Sequence, residues 1–200
     1  MNNEIKIIFV QIEQISKVSP SYKRRVLKYV SRQFLILELN NLGIKETDIF
    51  SDYNGKKRIK NNQFFFSISY SDISFIIAFS KNEIGIDIER NRTMNITNLL
   101  TFYNIFTQKT ILESEHPVSE FLKLWTISES LCKFWGISIF DYIEYYKNMD
   151  IGDVVEGWNY HLVAKKYFYH RVVDDYFISI CSGSIGEVTL FKSIINWRKL

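Results

Sequence analysis

Two short segments carry the residue types that can do chemistry. The first is Ile84–Glu89, which reads IGIDIE, and the second runs from Trp125 to Lys133 further along the chain. In an extended strand successive side chains point to opposite faces, so Asp87 and Glu89 share one face. Two carboxylates this close repel each other unless a cation lies between them, and Mg²⁺ prefers carboxylate oxygens as ligands. The first segment therefore indicates a metal site.

The second segment places Glu129 and Lys133 one turn apart on a predicted helix. Glu129 would supply a third oxygen ligand, and Lys133 would reach a phosphate bound to the same cation. Together the segments indicate an enzyme that handles phosphate groups. Each segment also has an ordinary interpretation, as the solvated face of an edge strand and as a surface ion pair. Spacing alone does not decide between the two.

These segments need a scaffold, and the chain alternates patterns typical of strands and helices. A helix is expected from Pro20 to near Gly43, and its side carries Arg25, Lys28 and Arg32 in one stripe. Further helices are predicted at 97–105 and 120–135, and strands at 5–11, 64–70, 74–80, 84–89, 160–164, 167–173, 176–181 and 188–191. The three strands between 64 and 89 predict an antiparallel meander.

This order predicts the α+β class, with a break near Arg90 that divides the chain into two similar halves, 1–90 and 91–200. Hydrophobic residues make up 46% of the 200 residues, and there are only 2 prolines and 8 glycines, so disorder is excluded. Without a signal peptide or a membrane-spanning run, a cytoplasmic protein with no membrane partner is expected. Cys132 and Cys181 lack the spacing of a metal site and are expected in the core.

In this order the two segments resemble the signature of 4′-phosphopantetheinyl transferases, specifically the longer type that activates peptide and polyketide synthetases. Asn54-Gly55-Lys56 resembles the family's Gly-Lys-Pro element, and Phe66–Ser71 resembles its Phe-Asn-x-Ser-His-Ser strand end. The resemblance runs over most of residues 20–140. It implies a monomer whose two α+β halves are related by a pseudo-twofold, with the active site at their seam.

The family transfers the phosphopantetheine arm of coenzyme A to a serine of a carrier protein and releases 3′,5′-adenosine bisphosphate. The acceptor here would be an acyl or peptidyl carrier protein. The resemblance implies Mg²⁺, or alternatively Mn²⁺, held by Asp87, Glu89 and Glu129. The implied catalytic residues are Asp87, Glu129 and Lys133, with Glu129 helping to take the proton from the acceptor serine. The implied contacts to coenzyme A are Lys28, Arg32, Lys56, Ser69, Tyr70 and Lys133.

The chain departs from the family pattern at four positions. Ser128 stands where a lysine is usual, Tyr70 where a histidine is usual, and Thr110 where a glutamate is usual. Lys57 replaces the proline that follows the Gly-Lys pair. Since the changes at Ser128, Tyr70 and Thr110 replace residues that can carry a charge, the alternative is a weak or inactive relative that binds coenzyme A or a carrier protein without efficient transfer.

A different class of function is a nucleic-acid-binding module, because basic residues mixed with aromatic ones are typical of surfaces that stack bases. That function would leave Asp87, Glu89 and Glu129 without a role, since carboxylates repel phosphate unless a metal intervenes. No nucleic-acid partner is therefore expected.

Overall fold

The computed structural model describes residues 4–60, 63–141, 155–161 and 165–196, and it confirms the α+β class. The helices are α1 (Pro20–Asn41), α2 (Thr97–Leu100), α3 (Ile105–Glu113) and α4 (Pro117–Trp135). The strands are β1 (Glu4–Glu13), β2 (Ile49–Ser51), β3 (Lys57–Ile59), β4 (Phe65–Ser71), β5 (Ser74–Ser80), β6 (Ile84–Arg90), β7 (Gly157–His161), β8 (Lys166–Val173), β9 (Tyr176–Ser182) and β10 (Glu187–Asn196). No helix in these ranges is long and apolar enough to span a membrane.

The first compact unit consists of the described residues of Met1–Ile84 and Gly186–Leu200. Its four-stranded sheet has the order β10-β1-β5-β4, in which only the β1–β10 pair is parallel. Helix α1 begins after Ser19, whose side chain accepts a hydrogen bond from the Tyr22 backbone, with Pro20 as its first residue. Its apolar face contributes Val26, Leu27, Val30, Leu35 and Leu39 to the core of this unit. The small hairpin β2–β3 completes it.

The second unit consists of the described residues of Gly85–Ile185. Its four-stranded sheet has the order β6-β9-β8-β7, and α2, α3 and α4 contribute to its apolar core. Cys132 and Cys181 are both buried in that core, as expected. These units differ from the predicted halves, 1–90 and 91–200, in two elements, because β6 belongs to the second unit and β10 to the first. The pseudo-twofold relation stays a prediction.

Three of the predicted elements were wrong in detail. The strand at 84–89 forms, but it does not complete a meander with β4 and β5, because it joins β9 in the other sheet. The helix predicted over 97–105 ends at Leu100, and α3 begins only at Ile105, after Asn104 caps the new helix by accepting from the Thr107 backbone. The strand predicted over 160–164 begins earlier, as β7, and residues 162–164 lie outside the described ranges.

Helix α4 carries Glu129 and Lys133, and clear signals set its ends. Pro117 occupies its first turn, and Gly136 ends it in the left-handed conformation at φ 71°. A buried polar chain ties the helix to the sheet beneath it. The Thr126 and Ser179 hydroxyls share a hydrogen bond of 2.8 Å, and Ser179 also bonds His170 Nδ1 at 3.0 Å. These contacts help to fix where α4 lies on β9.

Gly85 sets how closely α4 approaches β6. A Cβ built on this residue would lie 2.0 Å from the Ser130 carbonyl oxygen and 2.3 Å from the Phe134 backbone nitrogen. Cβ atoms in proteins essentially never lie this close to other atoms. Because the atoms met here belong to the helix backbone, they cannot move away as the end of a flexible side chain can. Glycine is therefore required for the helix backbone to rest directly on the strand. Asp87 and Glu89 alternate onto this same face.

We expect Gly85→Ala to lower the free energy of unfolding by about 3 kcal/mol, because the added methyl group must push α4 away from β6. Chemical denaturation followed by circular dichroism measures the change. Gly183→Ala is the matched control, since a Cβ there meets nothing within 4 Å and its φ is not positive. Equal stability of the two variants would contradict the close packing of α4 on β6.

Candidate active site

Asp87 lies on the face of β6 that α4 covers, and it is 4% exposed. Lys133 Nζ donates to Asp87 Oδ1 at 2.6 Å from its position on the helix. This contact excludes the ordinary interpretation of the DxE pattern for Asp87, because a carboxylate on a solvated face would be exposed. The buried pair is expected to be strong, since hydrogen bonds to charged groups exceed neutral ones in strength.

Glu129 is the second member of this acidic cluster. The pKa of Glu129 is raised to about 7, mainly because the group is buried and also because the charges of Asp87 and Glu89 lie nearby, while the Lys133 charge opposes the rise. The predicted residues Asp87, Glu89, Glu129 and Lys133 therefore lie within electrostatic range of one another. A carboxyl group with a pKa near neutrality can accept or return a proton during a reaction at physiological pH.

Glu89 is held at the outer end of the cluster. Arg92, which lies in the segment after β6, donates to Glu89 Oε2 at 2.7 Å. The side chain of Glu89 is 19% exposed and that of Arg92 is 45% exposed, so this ion pair faces water more than the Asp87–Lys133 pair does. Arg92 was not predicted from the sequence. Its position three residues after Glu89 was the available signal.

The donor set of Asp87, Glu89 and Glu129 matches the chemistry of Mg²⁺ or Mn²⁺, since all three offer carboxylate oxygens and their charges repel one another. A divalent cation would relieve that repulsion. Among the residues that the structure describes, however, no three Asp, Glu, His or Cys side chains converge closely enough to form a metal-binding group. The metal triad stays a prediction, supported by the chemistry of its donors and not by their convergence.

Ser128 precedes Glu129 and does not face the same environment. It is 1% exposed, and its hydroxyl shares a hydrogen bond of 3.2 Å with the hydroxyl of Tyr103, which is also buried. Burial raises the pKa of Tyr103, so that its hydroxyl stays neutral. The ring of Tyr103 packs edge-on against the ring of Phe121, which lies on α4 as Ser128 does. The serine is therefore part of a buried contact, in which a charged side chain would lose its hydration.

Other predicted residues meet at a cavity in the first unit. This cavity has a volume of about 680 Å³ and includes Lys28, Arg32 and Tyr70 in its lining. Its floor is apolar. The remaining lining residues are Ser31, Leu35, Ile36, Glu46, Thr47, Ile49, Lys57, Phe66 and Ile68. A basic rim over an apolar floor suits a ligand with a flat ring and phosphate groups.

Two predicted ligand contacts, Ser69 and Lys56, do not line this cavity. Ser69 is buried on the face of β4 opposite to Tyr70, because adjacent residues of a strand alternate. Lys56 forms an ion pair with Glu83 and donates to the Ile84 carbonyl oxygen at 3.3 Å. The opposite directions of Ser69 and Tyr70 follow from strand alternation, whereas the pairing of Lys56 with Glu83 depends on the tertiary fold.

The cavity also contains residues that the sequence did not single out. The Ser31 hydroxyl shares a hydrogen bond of 2.9 Å with the Tyr70 hydroxyl and donates to the Lys28 carbonyl oxygen. Arg32 Nε donates to Glu46 Oε1 at 2.8 Å. The signal for Ser31 was its place on the cationic side of α1, one turn after Lys28. Thr110, the remaining departure, lies exposed on α3 and donates to the Phe106 carbonyl oxygen.

Comparison with known proteins supports the resemblance. No family model matches the chain. The chain is 32% identical over 123 residues to the 4′-phosphopantetheinyl transferase gsp of Aneurinibacillus migulanus. The match covers 60% of this chain and 50% of the relative, so the chain spans about half the length of the curated relative it matches. The relative is a phosphopantetheinyl transferase by name. Its similarity supports the family suggested by the two motifs.

Ser128→Lys should destabilise the fold by about 2 kcal/mol or more, because the ammonium group would enter the buried contact with Tyr103. Thermal and chemical unfolding measure the change. Leu112→Lys is the control, because that helical position is 59% exposed and leaves the ammonium in water. A Ser128→Lys protein as stable as the wild type would show that the position has space for a cation.

The raised pKa of Glu129 predicts a pH-dependent stability. The folded protein holds a proton on this group up to a pKa of about 7, whereas the unfolded chain loses it near 4.5. The folded state therefore binds more protons between these values, and its stability falls as pH rises through that window. Glu129→Gln removes this loss, so it should exceed the wild type in stability above pH 7, by up to about 3 kcal/mol.

Denaturant titrations in a chelating buffer, between about pH 4 and about pH 8, check this prediction. This pH range spans the pKa of Glu129 in the unfolded and in the folded state. Glu113→Gln is the control, since the side chain of Glu113 is 66% exposed on α3. Parallel stability curves for wild type and Glu129→Gln would contradict the raised pKa.

Proposed function

We propose that this protein is a 4′-phosphopantetheinyl transferase. It transfers the phosphopantetheine arm of coenzyme A to a serine of an apo acyl or peptidyl carrier protein and releases 3′,5′-adenosine bisphosphate. The observation that carries the proposal is the cluster of Asp87, Glu129 and Lys133 between β6 and α4, in the order of the family signature. The 32% identity to a protein of that name also supports it.

The cluster would hold Mg²⁺ or Mn²⁺ through Asp87, Glu89 and Glu129. The ion would supply positive charge to offset the charge on the pyrophosphate as the bond to the leaving phosphate breaks. The Lys133 ammonium, which bonds Asp87 at 2.6 Å, would donate to a phosphate oxygen. Arg92 would restrict the position of the Glu89 side chain through their ion pair.

In the reaction, the serine oxygen of the carrier attacks the phosphorus that bears the pantetheine arm. A new phosphorus–oxygen bond forms, and the bond from that phosphorus to the adenosine bisphosphate breaks. Glu129, whose carboxyl group lies close to Asp87 and Lys133, would accept the serine proton. The cavity of the first unit, taken by itself, offers an apolar floor and the basic side chains of Lys28 and Arg32, which suit the ring and phosphate groups of a nucleotide.

A weak relative that binds coenzyme A or a carrier protein without efficient transfer is the alternative. The observations that favour it are the neutral residues at Ser128 and Tyr70 and the lack of a converged metal-binding group among the described residues. Losing one charged contact costs about 1.5 to 3 kcal/mol, which is a loss of about one to two orders of magnitude in affinity. The two functions therefore differ in rate and share the same ligands.

Incubation with coenzyme A, Mg²⁺ and an apo carrier protein tests the proposal by mass spectrometry. The carrier should gain the mass of one phosphopantetheine arm at its acceptor serine, and a carrier with alanine at that serine should gain none. Asp87→Asn should abolish the gain, because it removes the charge that Lys133 and the cation both need. Glu113→Gln, on the exposed face of α3, should transfer at the wild-type rate.

The outcomes separate the two functions. No mass gain from the wild type, with coenzyme A binding retained, would support the weak relative. An Asp87→Asn protein that is folded and transfers at the wild-type rate would show that the cluster is not the active site.

A further inference from the structure

Two neighbouring lysines of the β2–β3 hairpin have opposite environments. The side chain of Lys56 is only 10% exposed, and its ammonium is paired with Glu83. Lys57 is exposed, and its side chain forms part of the cavity lining. Consecutive residues of an extended segment point to opposite sides, so only one of these two adjacent lysines can face the cavity.

Lys56 belongs to a network of four charged groups. Glu83 accepts from Lys56 through one carboxylate oxygen and from Arg58 Nη1 through the other, at 2.6 Å. Arg58 Nε also donates to Asp52 Oδ2 at 2.7 Å, and Asp52 accepts from the Lys56 backbone at 2.9 Å. A phosphate that took the Lys56 ammonium would therefore separate a half-buried ion pair, which is costly.

Binding of a phosphate by Lys57 would not separate an ion pair of this kind. Its ammonium donates to the Ser51 hydroxyl at 2.7 Å, a neutral partner on the facing strand of the hairpin. A phosphate can join or replace that hydroxyl without leaving a buried charge behind. The cavity then presents three cations, Lys28, Arg32 and Lys57, against one carboxylate, Glu46. This excess of positive over negative side chains favours a ligand that carries more than one negative charge on its phosphate groups.

We infer that Lys57, and not Lys56, is the phosphate-binding lysine of this hairpin, and that Lys56 holds the hairpin in place through Glu83. The ligand class is an organic phosphate whose ring rests on the apolar floor, among Leu35, Ile49 and Phe66. The inference rests on the proposed function in taking coenzyme A as the physiological source of that phosphate. The phosphate contact itself depends only on the cavity.

The test compares Lys57→Gln, Lys56→Gln and Lys60→Gln in the full chain. Lys60 is exposed just after β3 and does not line the cavity, so it is the matched control for loss of one positive charge. Isothermal titration calorimetry measures binding of coenzyme A and, separately, of inorganic pyrophosphate. Lys57→Gln should weaken both about tenfold, the effect of one charged hydrogen bond.

Lys60→Gln should bind as the wild type does. Lys56→Gln should keep its affinity but unfold at a lower temperature, because Glu83 loses one of its two cations. The inference is overturned if Lys57→Gln binds both ligands as tightly as the wild type, or if folded Lys56→Gln loses as much affinity as Lys57→Gln does.

The two ligands keep this inference apart from the proposed function. Binding of pyrophosphate that depends on Lys57, together with no binding of coenzyme A, would refute the proposed function and leave the lysine assignment standing. A wild-type protein that binds neither ligand refutes both.

Discussion

The close packing of α4 on β6 at Gly85 is the constraint on which the candidate site depends. With no Cβ at this position, the helix backbone at Ser130 and Phe134 can rest against the strand. That separation lets Lys133 reach Asp87 and brings Glu129 within range of both carboxylates of the DxE pair. A wider gap would leave the same side chains as two unrelated polar groups, each hydrated. The glycine between two isoleucines is therefore as much a part of the site as the charged residues.

The sequence predicted the chemistry of the second unit well, because the relevant geometry is local. Alternation along a strand placed Asp87 and Glu89 on one face, and helical spacing placed Glu129 beside Lys133. Which sheet β6 joins was not predictable in the same way. Its partner β9 lies far along the chain, so nothing near the motif records that pairing. The short connection after β5 favoured a meander, and tertiary packing decided otherwise.

In the first unit, the sequence predicted the types of residue in the candidate ligand site but only partly their positions. Lys28 and Arg32 share a cavity because one helical stripe carries both. Ser69 and Tyr70 were grouped because they are adjacent, although adjacent strand residues face opposite ways. A cluster of basic residues in a sequence also does not show which of them form ion pairs with carboxylates in the folded protein. Glu83 lies too far from Lys56 along the chain for the pairing to be anticipated.

The Ser128–Tyr103 contact constrains how this chain can change over generations. In the relatives that the motif resembles, a lysine occupies the position of Ser128, and its charged end must lie in a polar environment. Here the Ser128 side chain is buried beside Tyr103, whose ring packs on Phe121, and the two hydroxyls share a hydrogen bond. Neither residue can change alone without leaving a buried polar group or a clash. The two positions are therefore expected to be energetically coupled, so that the effect of a change at one depends on the residue at the other.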